Sequence, residues 1–179
     1  MAGRTKDAEA VLRELGTTSD PGFAKLRMEI AVAENDLASA IQIAEAVTKT
    51  KQVTSGHLNE LAWLEVVANT RLSDAVVTAG EAVKLETTAN TLHTKAVAEA
   101  EAGDLRNAVE DDQRAIGLRL HGAPANGDWY LQGRIAELVG LPDDAVAAYR
   151  RVKAPRLRFS TVPESDTLAS RRLAALGKP

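Results

Sequence analysis

Apolar and polar positions along this chain follow the period of an amphipathic α-helix, and short runs of Gly, Asn or Asp separate the helical stretches. The pattern predicts ten helices joined by short turns, with Ser73 and Asp128 as N-caps of two of them. The helices are expected at about residues 5–15, 21–33, 37–49, 55–69, 74–85, 90–102, 105–120, 129–139, 143–152 and 164–176.

One pattern returns four times: a small residue, a loop rich in Gly, Asn or Asp, then Ala, which an apolar residue follows four positions on in three of the four copies. It reads AVAENDLASAIQIAEAV from Ala31, VANTRLSDAVVTAGEAV from Val67, AEAEAGDLRNAVEDDQRAI from Ala98 and AELVGLPDDAVAAYRRV from Ala136. The alanines near the start of each second helix, Ala40, Ala75, Ala108 and Ala145, are 35, 33 and 37 residues apart. Such a period is typical of helical repeats, in which each pair of helices stacks on the next.

Packing explains why small residues stand at these positions. Where two helices cross closely, Ala or Gly is needed at the contact, and larger side chains fill the remaining gaps. The turn residues Asn35, Gly103 and Gly140 are expected to adopt the left-handed backbone conformation that ends a first helix.

The segment WYLQGRIAELVGLPDDAVAAYRRV resembles a tetratricopeptide repeat through Trp129, Gly133, Gly140, Ala145 and Tyr149. The segment from Leu92 is similar, although Asp112 stands where an aromatic residue is usual, and those from Leu58 and Lys25 are weaker matches. The resemblance implies an all-α fold, a right-handed α-solenoid of antiparallel helix pairs.

The resemblance also divides the chain. Residues 1–20 are expected to form a half repeat or cap, followed by four repeats at about 21–54, 55–88, 89–125 and 126–158, and then a capping helix at 159–179. The first helix either pairs with a preceding helix of a longer repeat protein or caps the stack by itself.

In tetratricopeptide repeats the first helices line a concave groove that commonly holds an extended peptide or a partner helix. The positions that the resemblance assigns to this groove are Lys25, Glu29, Asn59, Trp63, His93, Val97, Tyr130 and Arg134. The alternative is structural: Trp63 fills space between helices, and Arg134 pairs with Glu137 or another acid. Capture of a C-terminal carboxylate, known in chaperone-binding members, is not expected, because Glu29 stands where an Asn is needed.

Composition and charge limit the classes of function that this chain can have. The chain of 179 residues has no Cys, which excludes disulfides and thiolate metal sites, and no apolar run approaches the roughly 20 residues of a membrane span.

From residue 150 onward there are eight Lys or Arg against two acids, whereas residues 1–149 hold fourteen against twenty-three. The basic end lacks a nucleic-acid motif, so nucleic-acid binding is not favoured. A cytoplasmic location is favoured for the chain as given, although the sequence does not determine it.

No catalytic, cofactor or metal site is expected. The three histidines, His57, His93 and His121, lie in different helices or loops without the short spacing of metal ligands. The acidic run Glu110, Asp111 and Asp112 is expected on a solvated helix face, without raised pKa values.

The sequence therefore favours a non-catalytic module that binds a protein or peptide, from a chain whose Ala-rich composition suits a bacterium. Two alternatives remain open: a self-assembling homo-oligomer, in which the basic end of one copy meets the acidic body of another, and an accessory domain of an enzyme that lies outside this chain.

Overall fold

The computed structural model describes residues 21–119, 124–154 and 162–178, and across these ranges it contains nine α-helices and no strand. The helices are α1 (Pro21–Ala33), α2 (Leu37–Thr48), α3 (Ser55–Ala68), α4 (Leu72–Leu85), α5 (Ala89–Ala102), α6 (Leu105–Gly117), α7 (Asn126–Leu138), α8 (Pro142–Tyr149) and α9 (Ser165–Ala175). The predicted helix at about 5–15 and the predicted domain boundaries near residues 20 and 158 fall outside the described residues. No helix within them is long and apolar enough to cross a membrane.

The helices pack as a repeat array. Each helix packs on the next one along the chain, and α3, α5, α7 and α9 also pack on one another in that order. Among the described residues no extensive contact joins α2 to α4, α4 to α6 or α6 to α8. Helices α3, α5, α7 and α9 therefore form one continuous layer, against which the even-numbered helices pack. The odd-numbered helices, including α1, which packs on α2, are called first helices below.

Within the described parts of the chain, the core consists of two apolar clusters. One joins α1, α2 and α3 around Met28, Ile41 and Leu64, and Val162 belongs to it. The other runs from α3 to α9 and includes Tyr130. The core is therefore distributed along the stack, as expected where each unit buries its apolar face against its neighbours.

Two predicted N-caps are wrong. Helix α4 begins at Leu72, so Ser73 lies inside it, and the preceding Arg71 adopts a left-handed conformation with φ 52°. The N-cap lies four residues before the repeated alanine in all four second helices, at Asp36, Arg71, Asp104 and Leu141, so α4 begins where the repeat places it. Helix α7 begins at Asn126, and Asp128 in its first turn accepts a hydrogen bond from the amide of Ala125.

The turns inside the repeats follow the predicted conformation. Asn35, Gly103 and Gly140 have φ values of 62°, 86° and 78°, which confirms their left-handed assignment, and Asn69 joins them with φ 51°. A left-handed residue ends a helix because its amide can bond a carbonyl of the last turn, and Gly or Asn adopts this conformation at low cost. The same turn chemistry thus returns in all four helix pairs.

The repeated alanines lie where the helices approach most closely. Ala40, Ala75, Ala108 and Ala145 are fully buried, with 0% exposure. Gly133 on α7 shows how close the approach is, because a Cβ placed there would lie 2.3 Å from Cε1 of the Tyr149 ring on α8. Small residues at these points are therefore a steric requirement of the packing.

We predict that Ala145→Leu lowers the free energy of unfolding by about 1 to 3 kcal/mol, because the added side chain overpacks the contact of α8 with its neighbours. Ala147→Leu on the same helix is the matched control, since Ala147 is exposed, and it should change stability by less than about 0.5 kcal/mol. Urea unfolding of both variants measures the difference. Equal effects would show that Ala145 does not lie at a close crossing.

Two glutamates at equivalent positions, Glu65 and Glu99, are buried in the layer of first helices. Lys95 pairs with Glu99. Both carboxylate oxygens of Glu65 are buried without a hydrogen-bond partner, and the nearest Arg71 nitrogen lies 3.5 Å from its Oε1 atom. Burial raises the pKa of Glu65 to about 7, against the opposing effect of the Arg71 charge.

This raised pKa makes stability depend on pH. The folded chain keeps the proton on Glu65 up to about pH 7, whereas the unfolded chain releases it near pH 4.5. Protons are therefore bound more tightly in the native state, so this group's contribution to stability falls as the pH rises through that window. We predict that Glu65→Gln, which carries no charge, gains about 1 to 2 kcal/mol relative to the wild type between pH 4.5 and pH 8.

Chemical unfolding of both proteins at several pH values measures this gain. The exposed ion-paired Glu81 provides a control, because Glu81→Gln should shift stability by less than about 0.5 kcal/mol throughout. A difference between Glu65→Gln and wild type that is constant with pH would contradict the raised pKa.

Candidate binding site

A cavity of about 740 Å³ lies on the layer of first helices. Three of the eight predicted groove residues, Asn59, Trp63 and His93, line it. The rest of its lining comes from α3, from the N-terminal halves of α5 and α7, from the chain after α6 and before α7, and from the beginning of α9 with the chain before it. These residues are Glu60, Ala89, Asn90, Thr94, Arg119, Ala125, Asn126, Gly127, Val162, Glu164 and Ser165. The cavity therefore spans three successive first helices.

The other five predicted residues lie elsewhere. Lys25 and Glu29 are on α1 and do not line the cavity, with Lys25 exposed and Glu29 half-buried. Val97, Tyr130 and Arg134 are buried, and Val97 and Tyr130 have 0% and 1% exposure. Contact between a partner and these side chains stays a prediction, and it requires that the residues covering them move.

The chain before α9 lies against the first helices. The indole Nε1 of Trp63 donates a 3.0 Å hydrogen bond to the carbonyl oxygen of Pro163, one hundred residues later in the chain. Val162 is buried in the same cluster as Leu61 and Leu64 of α3. Residues 162–164 are not helical. A short non-helical segment of this chain thus occupies the surface beside the cavity.

Helix α9 anchors that segment. Arg171 donates a 2.7 Å hydrogen bond to the carbonyl oxygen of Val67 at the end of α3. Arg172 holds Glu137 of α7 through two hydrogen bonds of 2.9 and 2.8 Å. A guanidinium group that binds a carboxylate through two nitrogens fixes geometry as well as charge. Two charges of the basic end are therefore used within the molecule.

Arg134 belongs to the same network. Its Nε donates to Glu101 at 2.7 Å and its Nη1 donates to Glu137 at 2.7 Å, which is the pairing expected under the structural alternative. The Tyr130 hydroxyl donates to Glu101, and the Tyr149 hydroxyl donates to Glu137. Although burial opposes it, hydrogen bonds from Arg172, Tyr149 and Arg134 lower the pKa of Glu137. The network joins α5, α7, α8 and α9.

A second polar cluster lies at the inner edge of the cavity. It consists of His93 on α5, Asp112 on α6 and Asp128 on α7, and one side-chain nitrogen or oxygen of each lies within 4.8 Å of the other two. His93 Nδ1, Asp112 Oδ1 and Asp128 Oδ1 are all buried without a hydrogen-bond partner. Buried polar atoms rarely lack partners, so three together mark this place as unusual.

Two contacts position these side chains. The Oδ2 atom of Asp128 accepts a hydrogen bond of 2.7 Å from the Ala125 amide and pairs with Arg119, which leaves Oδ1 on the other side of the carboxylate. The imidazole of His93 lies directly against Gly127, where a Cβ would come within 2.3 Å of Nε2. Only glycine at position 127 lets the ring take this place.

Burial determines the charges in this cluster. It lowers the pKa of His93 to about 4, so the imidazole is neutral at pH 7 and its 3.9 Å contact with Asp128 is not an ion pair. Burial, together with the negative charge of Asp128, raises the pKa of Asp112 to about 6. The expectation that Asp111 and Asp112 lie on a solvated face is wrong, because both are buried.

The sequence analysis missed this cluster because its members are far apart in the chain. The search for ligand spacing compared histidines with one another, whereas the structure places one histidine beside two aspartates from neighbouring helices. One signal was present: Asp112 occupies a position where the resemblance expects an aromatic residue, and such a position is buried.

The chain was compared with protein-family models, curated proteins and solved structures, and none of the three comparisons found a match. Its all-helical repeat packing is therefore described from its own residues, and its family and function are matters for proposal.

Proposed function

We propose that this chain is a non-catalytic interaction module: a right-handed, tetratricopeptide-like solenoid that binds an extended segment of a partner protein on the face of its first helices. The packing of α3, α5, α7 and α9 in one layer supports this architecture. The proposed function is supported by a segment of the chain itself that binds to this layer.

The bound segment around Pro163 carries the proposal. It offers a main-chain carbonyl to Trp63 and a buried apolar side chain, Val162, to the core around Leu61. A peptide recognised in this way contributes main-chain hydrogen bonds and one or two apolar anchors. The first-helix layer therefore has the chemistry needed to hold a non-helical chain.

The cavity beside this segment offers room for further residues. Its volume of about 740 Å³ lies within the range of roughly 300 to 1,000 Å³ typical of ligand pockets. The Oδ1 atom of Asn59 is buried there without a hydrogen-bond partner. An incoming peptide amide can satisfy this oxygen, because an amide side chain both accepts and donates hydrogen bonds.

The structure supports self-assembly less well. That alternative depends on the basic end of the chain being free to meet an acidic surface of another copy. Arg171 and Arg172 instead bind the Val67 carbonyl and Glu137 inside the same molecule. Fewer positive charges at this end are thus left for a second copy.

Site-specific photo-crosslinking tests the proposal. Asn90 is exposed and lines the cavity, so p-benzoylphenylalanine at this position should capture a partner protein in a lysate of the organism that makes the chain. Excess unlabelled chain should abolish the adduct. Asn59→Ala in the labelled chain should reduce it, because the partner loses a hydrogen-bonding side chain in the cavity.

The matched control carries the same label at Val77. This residue of α4 is 64% exposed and does not line the cavity, so its label should give no such adduct. An adduct that forms equally well at Val77, or no adduct at Asn90 from the native lysate, would contradict binding at the face of the first helices.

A further inference from the structure

We propose that His93, Asp112 and Asp128 form a binding site for a divalent transition-metal ion, with zinc as the best-fitting probe. The proposal does not depend on the proposed peptide binding, although His93 also lines the cavity. The residues of the site lie on α5, α6 and α7, which belong to two successive helix pairs. A bound ion would link these two pairs.

The donor atoms are of the right kind. An imidazole nitrogen and two carboxylate oxygens are typical ligands of zinc and of related divalent ions, whereas calcium and magnesium prefer oxygen alone. The ligand nitrogen must be unprotonated, so zinc and protons compete for His93. The chain has no cysteine that could compete for a soft metal.

The distances require only a small adjustment. The Nδ1 atom of His93 lies 3.9 Å from Oδ1 of Asp128, and the three candidate atoms lie within 4.8 Å of one another. Ligands placed at about 2.1 Å from a tetrahedral zinc ion are about 3.4 Å apart. Side-chain rotations that move each ligand atom by less than about 1.5 Å close this difference.

The unpartnered atoms point to an ion. His93, Asp112 and Asp128 each have one buried side-chain atom without a hydrogen-bond partner, and the relative exposure of Asp128 is 1%. Two carboxylates share this place, and Arg119 pairs with one of them. With a neutral histidine the cluster carries a net charge of about −1, so a divalent ion both fills the coordination gap and removes the repulsion between the carboxylates.

Neighbouring groups hold the ligand side chains in place, as hydrogen bonds to the ligands do in known metal sites. The Ala125 amide and Arg119 bind the far oxygen of Asp128, which orients its carboxylate. Gly127 gives the His93 ring its space. His93 and Arg119 also line the cavity, which provides a path for the ion and for water ligands.

Calorimetric titration of the full metal-free chain with zinc tests this site. We expect one ion per chain with a dissociation constant below about 10 µM, and a rise of about 4 °C or more in the thermal midpoint at saturation. His93→Gln, Asp112→Asn and Asp128→Asn should each weaken binding at least about tenfold. His57→Gln is the matched control and should bind as the wild type does.

Two further measurements do not depend on removing a ligand. Gly127→Ala should weaken zinc binding, because the new methyl group displaces the His93 ring. In the wild-type chain, zinc should shift the NMR signal of the His93 Nδ1 nitrogen and leave His57 unchanged. Absence of one-to-one zinc binding, unchanged affinity in folded Asp112→Asn, or zinc-dependent shifts confined to other histidines would each overturn the proposal.

Discussion

Neighbouring helices of this protein approach each other closely at small residues, and the packing of the whole array follows from these contacts. Ala40, Ala75, Ala108 and Ala145 have no exposed surface, and Gly133 lies against the face of the Tyr149 ring. A larger residue at any of these points separates the backbones and removes contacts along the whole crossing. Because helix pairs stack at a nearly constant period, this local requirement sets the alignment of the whole array.

That alignment brings equivalent positions of successive first helices together. Asn59, His93 and Gly127 are 34 residues apart, and all three line one cavity. The absence of a side chain at Gly127 is what lets the imidazole of His93 reach Asp128. The repeat therefore brings these positions together. The cavity and the polar cluster form because each helix carries a different residue at the equivalent position.

The helices and turns could be predicted from the sequence because their signals are local. Apolar spacing, Asn and Gly at the turns, and alanine at the crossings all act within a few residues, and Asn35 and Gly103 behave as expected. The predicted N-cap at Ser73 is wrong because Arg71, in a left-handed conformation and without a side-chain cap, precedes the first turn of α4. Even there, the error is confined to the end of an element.

The site was less predictable because its contacts join distant parts of the chain. The burial of Asp112 depends on residues from α5 and α7, and the bond from Trp63 to Pro163 spans one hundred residues. Arg172 belongs to the basic end of the chain, yet it binds Glu137 within the same molecule. Hydrophobic periodicity carries no information about such pairings, and they determine which groove residues remain accessible.

The first-helix face of this protein holds a non-helical chain segment, residues 162–164. A nuclear Overhauser experiment on the indole proton of Trp63 tests it most directly, with Trp129→Phe used to leave a single indole signal. The structure predicts cross peaks from this proton to Val162 and Pro163, since the indole nitrogen lies 3.0 Å from the Pro163 carbonyl oxygen. An indole proton that shows no contact with these residues and exchanges as fast as that of free tryptophan would contradict the claim.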